Sequence, residues 1–200
     1  MELSEAVRRR RMVRNYSSEP VEAAVVDRVL AAGHRAPSAG NSAGWAFLLL
    51  DNPDDVARYW RATAGDRVEA PDRWLRGLMT APVLVVTLSC KDAYLERYAE
   101  PDKGWSDRDE ARWPVPYWHT DTAMAAMLML LTAVDEGLGA CFFGLPGPAV
   151  DRFRAAFDVP TAYTPVGVVS LGHRTDDAGP AGSARRGRPP VADVTHRGRW

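Results

Sequence analysis

Between residues 22 and 35 the apolar side chains Val25, Val26, Val29, Leu30 and Ala32 recur at three- and four-residue spacings. That period puts them on one face and predicts an amphipathic helix from Glu22 to Arg35. Pro37 ends it, because proline disfavours helical geometry in the residue before it. Two stretches have a different character: Trp45–Leu50 and Val83–Leu88 are short, continuously apolar runs and read as buried strands. Between them, Asn52-Pro53-Asp54-Asp55 combines a cap, a proline at the first helical position and first-turn acids. The helix it starts carries Val56, Tyr59 and Trp60 on one side. A short helix around Arg73–Met79 follows, and residues 91–99 read as helical again. Residues 124–134 are apolar nearly all round, which predicts a central buried helix opened by Thr120 or Asp121, running to Glu136 and stopped by Gly137. A short strand Ala140–Phe143, a sharp turn over 144–148, a helix Ala149–Phe157 and a strand Pro165–Leu171 complete the pattern. At the start of the chain, Ser4 is the expected cap of a short helix that lapses at Val13.

Helices and four strands without regular βαβ spacing favour an α+β fold over a doubly wound sheet. Two hundred residues suit one domain, taken as 1–200. No apolar run approaches the roughly 20 residues of a membrane span, so no membrane partner is expected. The first residues are charged and contain no apolar run, so no signal peptide is expected. Cys90 and Cys141 lie far apart, without ligand spacing, which argues against a zinc or dithiol site and for a reducing, cytoplasmic setting. A net charge of −1 makes the chain as a whole a poor polyanion ligand, and no nucleic-acid partner is expected.

Candidate chemistry concentrates in a few places. Arg8, Arg9, Arg10, Arg11 and Arg14 put five guanidinium groups into seven residues, and Arg185-Arg186-Gly187-Arg188 forms a second cluster near the other end. Like charges so crowded are offset either by solvent or by a bound anion, whose oxygens the planar Arg fork matches. Ala36-Pro37-Ser38-Ala39-Gly40-Asn41-Ser42-Ala43-Gly44 is a loop of small residues: a plain connection, or a backbone that a ligand approaches closely. From Glu100 to Trp118, Trp105, Trp113, Tyr117 and Trp118 mix with charges and prolines without periodicity, as in an active-site cover or an interface insertion. His119 beside Asp121 is more simply structural than an acid–base pair. No GxGxxG after a strand, GxxxxGK[ST], HExxH or GxSxG is present.

Three of these stretches, with the tail, resemble the FMN-dependent nitroreductase family. Arg10-Arg11-Met12-Val13-Arg14-Asn15-Tyr16 is similar to its R-R-S-x-R-x-F/Y, and Ala36–Ser42 running into Trp45 to its A-P-S-x-x-N-x-Q-P-W. Gly137–Gly144 is similar to G-L-G-x-x-W/F-x-G, and Arg186-Gly187-Arg188-Pro189 to K/R-x-R-x-P. Met12 stands where the family usually has serine, and Ala43-Gly44 where it has Gln-Pro.

The resemblance implies a nitroreductase-like α+β fold: a central mixed, mostly antiparallel sheet flanked by helices in an intertwined homodimer, with FMN at the interface. Residues 100–118 would be a variable insertion and 174–200 a C-terminal arm. By the same resemblance Arg10, Arg11, Arg14, Arg186 and Arg188 face the flavin phosphate or ribityl chain. Pro37, Ser38, Ala39 and Asn41 approach from the partner subunit. Phe142, Phe143, Gly144 and Leu145 run along the isoalloxazine. Gly40, Trp113, Tyr117 and Trp118 are substrate-side candidates. No protein nucleophile is required, because the flavin carries the electrons. The implied activity is hydride transfer from NAD(P)H to a nitroaromatic, quinone or related small acceptor in a ping-pong cycle. A flavin-dependent dehydrogenase or oxidase of a specialised metabolite, and a non-enzymatic flavin-sequestering protein, are the alternatives.

Overall fold

The computed structural model describes residues 1–175 and 186–200; Arg185 and the neighbouring part of the expected arm lie outside the described residues. Four strands, β1 (Trp45–Leu50), β2 (Val83–Cys90), β3 (Gly139–Phe143) and β4 (Tyr163–Gly172), form one sheet in the order β1-β2-β4-β3. Every neighbouring pair is antiparallel. Among the described residues, parallel pairing is confined to an isolated bridge between Met12 and Ala140, so the mixed part of the expected sheet reduces to that bridge.

Seven α-helices are described: α1 (Leu3–Arg9), α2 (Ala23–His34), α3 (Pro53–Ala64), α4 (Arg73–Leu78), α5 (Lys91–Ala99), α6 (Tyr117–Asp135) and α7 (Val150–Phe157). Successive side chains of a strand point to opposite faces, and β2 uses this to serve two cores. Leu84, Val86 and Leu88 join Tyr59, Trp60 and Phe153 of α3 and α7 on one face. Val83 and Val85 join Val26, Val29, Met129 and Leu130 of α2 and α6 on the other. Both faces of the sheet are therefore covered, and β2 is buried from Val83 to Ser89.

Three sequence expectations change. β1 is a half-buried edge strand in which only Leu50 is fully buried, because the sheet order gives it one neighbour. Ser4 lies inside α1, whose first flanking residue is Glu2 and which has no side-chain cap. α6 begins one turn early, at Tyr117 after Pro116, because Asp121 is committed to groups outside the helix. α6 is also buried on one side only: Met124 and Met127 are 40% and 39% exposed. No described helix is long and apolar enough to cross a membrane.

Candidate functional site

After α1 the chain leaves helical geometry at Arg10 and runs beside β3. Val13 donates its N–H to the Ala140 carbonyl at 2.9 Å. Tyr16 fixes this segment from below: its hydroxyl donates to the Val13 carbonyl at 2.7 Å and lies 2.7 Å from Ser170 Oγ. Burial pushes the Tyr16 phenol well above its ordinary pKa, so it remains a neutral anchor.

Within this segment the arginines divide. Arg11 folds back on α1 and donates to the Arg8 and Arg10 carbonyls at 2.7 and 2.9 Å, satisfying the helix C-terminus. Arg10 Nη1 and Arg14 Nε are different: both are buried, and neither has a partner among the described residues. Their charges act on the buried Cys141 thiol of β3, opposing the rise that burial gives it. Two cationic donors left unmet beside one strand have unused capacity for an oxyanion. Met12, between them, does more than remove a hydroxyl: its Sδ accepts the Phe142 N–H at 3.4 Å.

The tail only partly joins them. Past β4 the chain runs antiparallel to Asn15–Ser17, with a Tyr16–Arg174 bridge and Ser17 N–H donating to His173 O at 2.8 Å. Arg186 and Arg188 are exposed.

The 36–44 loop is a tight, over-determined turn. Gly40, Asn41 and Ala43 have φ of 61°, 56° and 47°. For Ala43 that left-handed geometry costs on the order of 1 kcal/mol. Four bonds offset it. Ala39 N–H donates to Asp121 Oδ2 at 2.8 Å, and Ala43 N–H to Ser38 Oγ at 2.8 Å. Ser42 Oγ donates to Ala39 O at 2.7 Å, and Arg97 Nε to Gly40 O at 2.9 Å. The small residues also have a structural reason, since a Cβ on Gly40 would lie 2.7 Å from the Tyr98 ring of α5. The Ser38 hydroxyl accepts from within the loop, and among the described residues its own proton has no acceptor.

Tyr94 and Arg97 were not singled out from sequence, and Asp121 only as a helix opener beside His119. Asp121 is 2% exposed and accepts both the Ala39 N–H and the Tyr94 O–H, the latter at 2.9 Å. Burial first, then the Asp121 carboxylate, raises the Tyr94 pKa. The available signal was an acid placed just before the apolar run 124–134 of α6, because a charge buried there requires partners.

Phe142 and Phe143 point their rings into the two cores. The Phe143 ring stacks on Trp60, with centroids 5.8 Å apart, and meets Trp74 edge-on. Phe142 lies over Gly167, where a Cβ would come within 2.2 Å of its ring. What β3 can present to a ligand is therefore backbone, leading to Gly144, around which a Cβ would find open space.

The 100–118 segment is an aromatic layer on α5. Trp113 is its hub, with ring centroids 4.5 Å from Tyr98, 5.7 Å from Tyr117 and 6.0 Å from Trp118. Trp118 is 5% exposed and Tyr117 is 38% exposed, so of these three rings Tyr117 has the most surface to offer a ligand. His119 accepts the Trp118 indole N–H at Nε2 (3.2 Å) and meets Ser89 Oγ at Nδ1 (2.8 Å). An N–H aimed at Nε2 requires a neutral ring, and burial lowers the His119 pKa. The arrangement is structural. A pocket of about 690 Å³ beside α3, lined by Val21, Asp51, Trp60 and Arg61 among others, contains none of the residues singled out from sequence as site candidates. Among the described residues no cluster of His, Cys, Asp or Glu could hold a metal.

Comparison with known proteins yields concordant matches. The family model described as "Nitroreductase family" matches residues 7–173. A Methanothermobacter thermautotrophicus protein, provisionally named NADH dehydrogenase/NAD(P)H nitroreductase, is 26% identical over 90% of this chain and 81% of its own length. The 5,6-dimethylbenzimidazole synthase of Rhodobacter capsulatus is 31% identical over 77% of this chain and 76% of its own. A provisionally named nitroreductase from Exiguobacterium sibiricum, solved in complex with FMN, superposes with a TM-score of 0.72 at 20% identity, covering 98% of this chain and 97% of the other.

Proposed function

From the premise that this chain belongs to the nitroreductase family, and is therefore an oxidoreductase, we propose that it is a homodimeric FMN enzyme. It would take reducing equivalents from NAD(P)H and pass them to a nitroaromatic, quinone or related small acceptor in a ping-pong cycle. The observation that carries this reading is the pair of buried, unpartnered guanidinium nitrogens on Arg10 and Arg14 beside β3. They fit a flavin phosphate. Arg186 and Arg188 of the arm would add to them, while Arg11, satisfied by carbonyls of its own chain, would contribute little.

Pro37, Ser38, Ala39 and Asn41 of a second copy would close the site, with the free Ser38 proton as one donor. The backbone of Gly144 and Leu145 would lie along the ring system, because the Phe142 and Phe143 side chains are already used in the cores. Tyr117 would be the most accessible of the substrate-side residues; Gly40 is half-buried beneath the Tyr98 ring, and Trp113 and Trp118 would support the site from behind. FMN, when bound, would supply two-electron hydride chemistry, which is why no nucleophile or metal of the chain is needed. Two free cysteines suit a reducing, cytoplasmic setting.

Anaerobic titration of the purified protein tests the reading. Yellow protein should bleach with NADPH or NADH and recover its colour with a nitrofuran or a quinone. Colourless protein that takes up no FMN would refute it.

One observation favours a second reading, an oxidase or dehydrogenase of a specialised metabolite. The Rhodobacter capsulatus relative, 31% identical, is named a synthase, and Ala43-Gly44 replace Gln-Pro at the turn that would face the substrate. On that reading nitrofuran turnover is negligible with either nicotinamide. The flavin-sequestering alternative is set aside, since the family is one of oxidoreductases.

A further inference from the structure

The turn over Ser38–Asn41 owes its shape to groups that come from elsewhere in the chain. Asp121 enters from the first turns of α6, 82 residues from Ala39, and its Oδ2 accepts the Ala39 N–H at 2.8 Å and the Tyr94 O–H at 2.9 Å. Its Oδ1 receives a weaker contact from Thr120 Oγ at 3.2 Å. Arg97 of α5 holds the next residue, donating Nε–H to the Gly40 carbonyl. The Arg97 fork is itself fixed by Asp102, with bonds of 2.7 and 2.8 Å, and by Glu100 at 3.1 Å. Asp102 and Glu100 belong to the 100–118 insertion. Tyr98, one residue along α5, fills the space above Gly40 and packs on Trp113 at 4.5 Å.

We propose that Asp121 is a positioning residue which, with Arg97, locks the Ser38–Asn41 turn in its cofactor-facing shape, and that the 100–118 insertion acts on the cofactor site through this clamp. The inference rests on reading that turn as part of the cofactor site. Two physical points support it. A turn with Gly40, Asn41 and Ala43 in left-handed geometry persists only where its surroundings over-determine it. A carboxylate this buried is retained where its oxygens are satisfied, and the Ala39 amide and the Tyr94 hydroxyl do that here. Because Oδ2 takes both strong bonds, the amide side chain introduced by Asp121→Asn can offer its one oxygen to the same two donors. Its NH2 group would then face the Thr120 hydroxyl, which can accept. The function assigned to Asp121 therefore needs the acceptor and not the charge.

The test uses the full chain without cofactor, as wild type, Asp121→Ala, Asp121→Asn and Arg97→Ala. Amide hydrogen exchange over residues 36–44, melting temperature and FMN affinity by fluorescence titration are measured for each. Asp121→Ala should speed exchange in 36–44 by about tenfold or more relative to the β2 amides and weaken FMN by a similar factor. Asp121→Asn should bring both back to within about threefold of wild type. Arg97→Ala, at a partly exposed site, should give the same pattern at about threefold. Unchanged exchange and affinity in Asp121→Ala overturn the proposal, as does an Asn variant as impaired as the Ala variant. If Asp121→Ala does not fold, unchanged exchange and affinity in Arg97→Ala overturn it instead. Wild-type protein that binds no FMN would fail the proposed function, while the exchange comparison would still decide whether Asp121 sets the turn.

Discussion

Arg10 and Arg14 illustrate how a residue's role depends on what its neighbours leave unsatisfied. A charge-assisted hydrogen bond contributes about 1.5–3 kcal/mol, so Arg10→Ala or Arg14→Ala should weaken FMN binding by roughly 10- to 100-fold. Arg10 Nη1 and Arg14 Nε have no partner among the described residues, and Arg14 keeps one long bond, Nη1 to the Met12 carbonyl at 3.3 Å, so apoprotein stability should change little, and equilibrium dialysis alongside thermal melts separates the two effects. Unchanged affinity in both variants would remove them from the site. His119 makes the opposite case. Its pKa is lowered by burial from 6.5, so folding favours the neutral ring. The sign follows from linkage: at pH above about 6.5 both states are neutral and nothing is lost. As pH falls from there through the lowered folded-state value, the unfolded chain binds the proton first and stability declines. His119→Asn should flatten that decline in urea midpoints between about pH 7 and 5. Asp72, Asp102, Asp107 and Glu136, whose pKa values are lowered by hydrogen bonds and arginine neighbours, act only at more acid pH.

At the scale of elements, local signals succeed where a segment satisfies itself. α3 starts where Asn52-Pro53 predicts, because Asn52 Oδ1 accepts the Asp55 N–H at 2.9 Å and Pro53 occupies the first turn. Asn52→Ala should cost about 1 kcal/mol, read as a drop of about 2–4 °C in melting temperature for a chain of this size. α5 runs from Lys91 to Ala99 as expected. α6 departs from expectation because Thr120 and Asp121 look like caps but bond elsewhere. Thr120 Oγ donates back to the Tyr117 carbonyl, inside the helix. β1 departs for a different reason: an apolar run does not reveal whether a strand will be central or marginal.

For the whole molecule, surface left apolar supports assembly as the proposed dimer. Met124 and Met127 lie three residues apart on the outer face of α6, and the segment after residue 185 is exposed throughout, with Trp200 98% exposed. In the proposed dimer the Met124 and Met127 side chains are the apolar groups of α6 that a second copy would cover. Met124→Glu combined with Met127→Glu should shift the protein toward monomer in sedimentation and lower FMN affinity by about tenfold or more, although neither residue belongs to the cofactor site. A monomeric variant with wild-type affinity would show that one chain binds flavin alone.

Period, caps and composition by themselves determined the α+β class, most of the element boundaries and the positions of the arginine run, the small-residue loop and the Phe142–Leu145 stretch. These depend on contacts within a few residues, which the order of side chains specifies directly. Tertiary structure decided which of those residues have bonds to spare. It used Arg11 on its own helix end, turned the rings of Phe142 and Phe143 into the cores and made Trp113 and Trp118 a supporting layer. It also brought Asp121 to Ala39 across 82 residues. Pairings of that kind arise only when the sheet and its two helical layers close, because a buried donor or acceptor must find whatever partner the packing brings near.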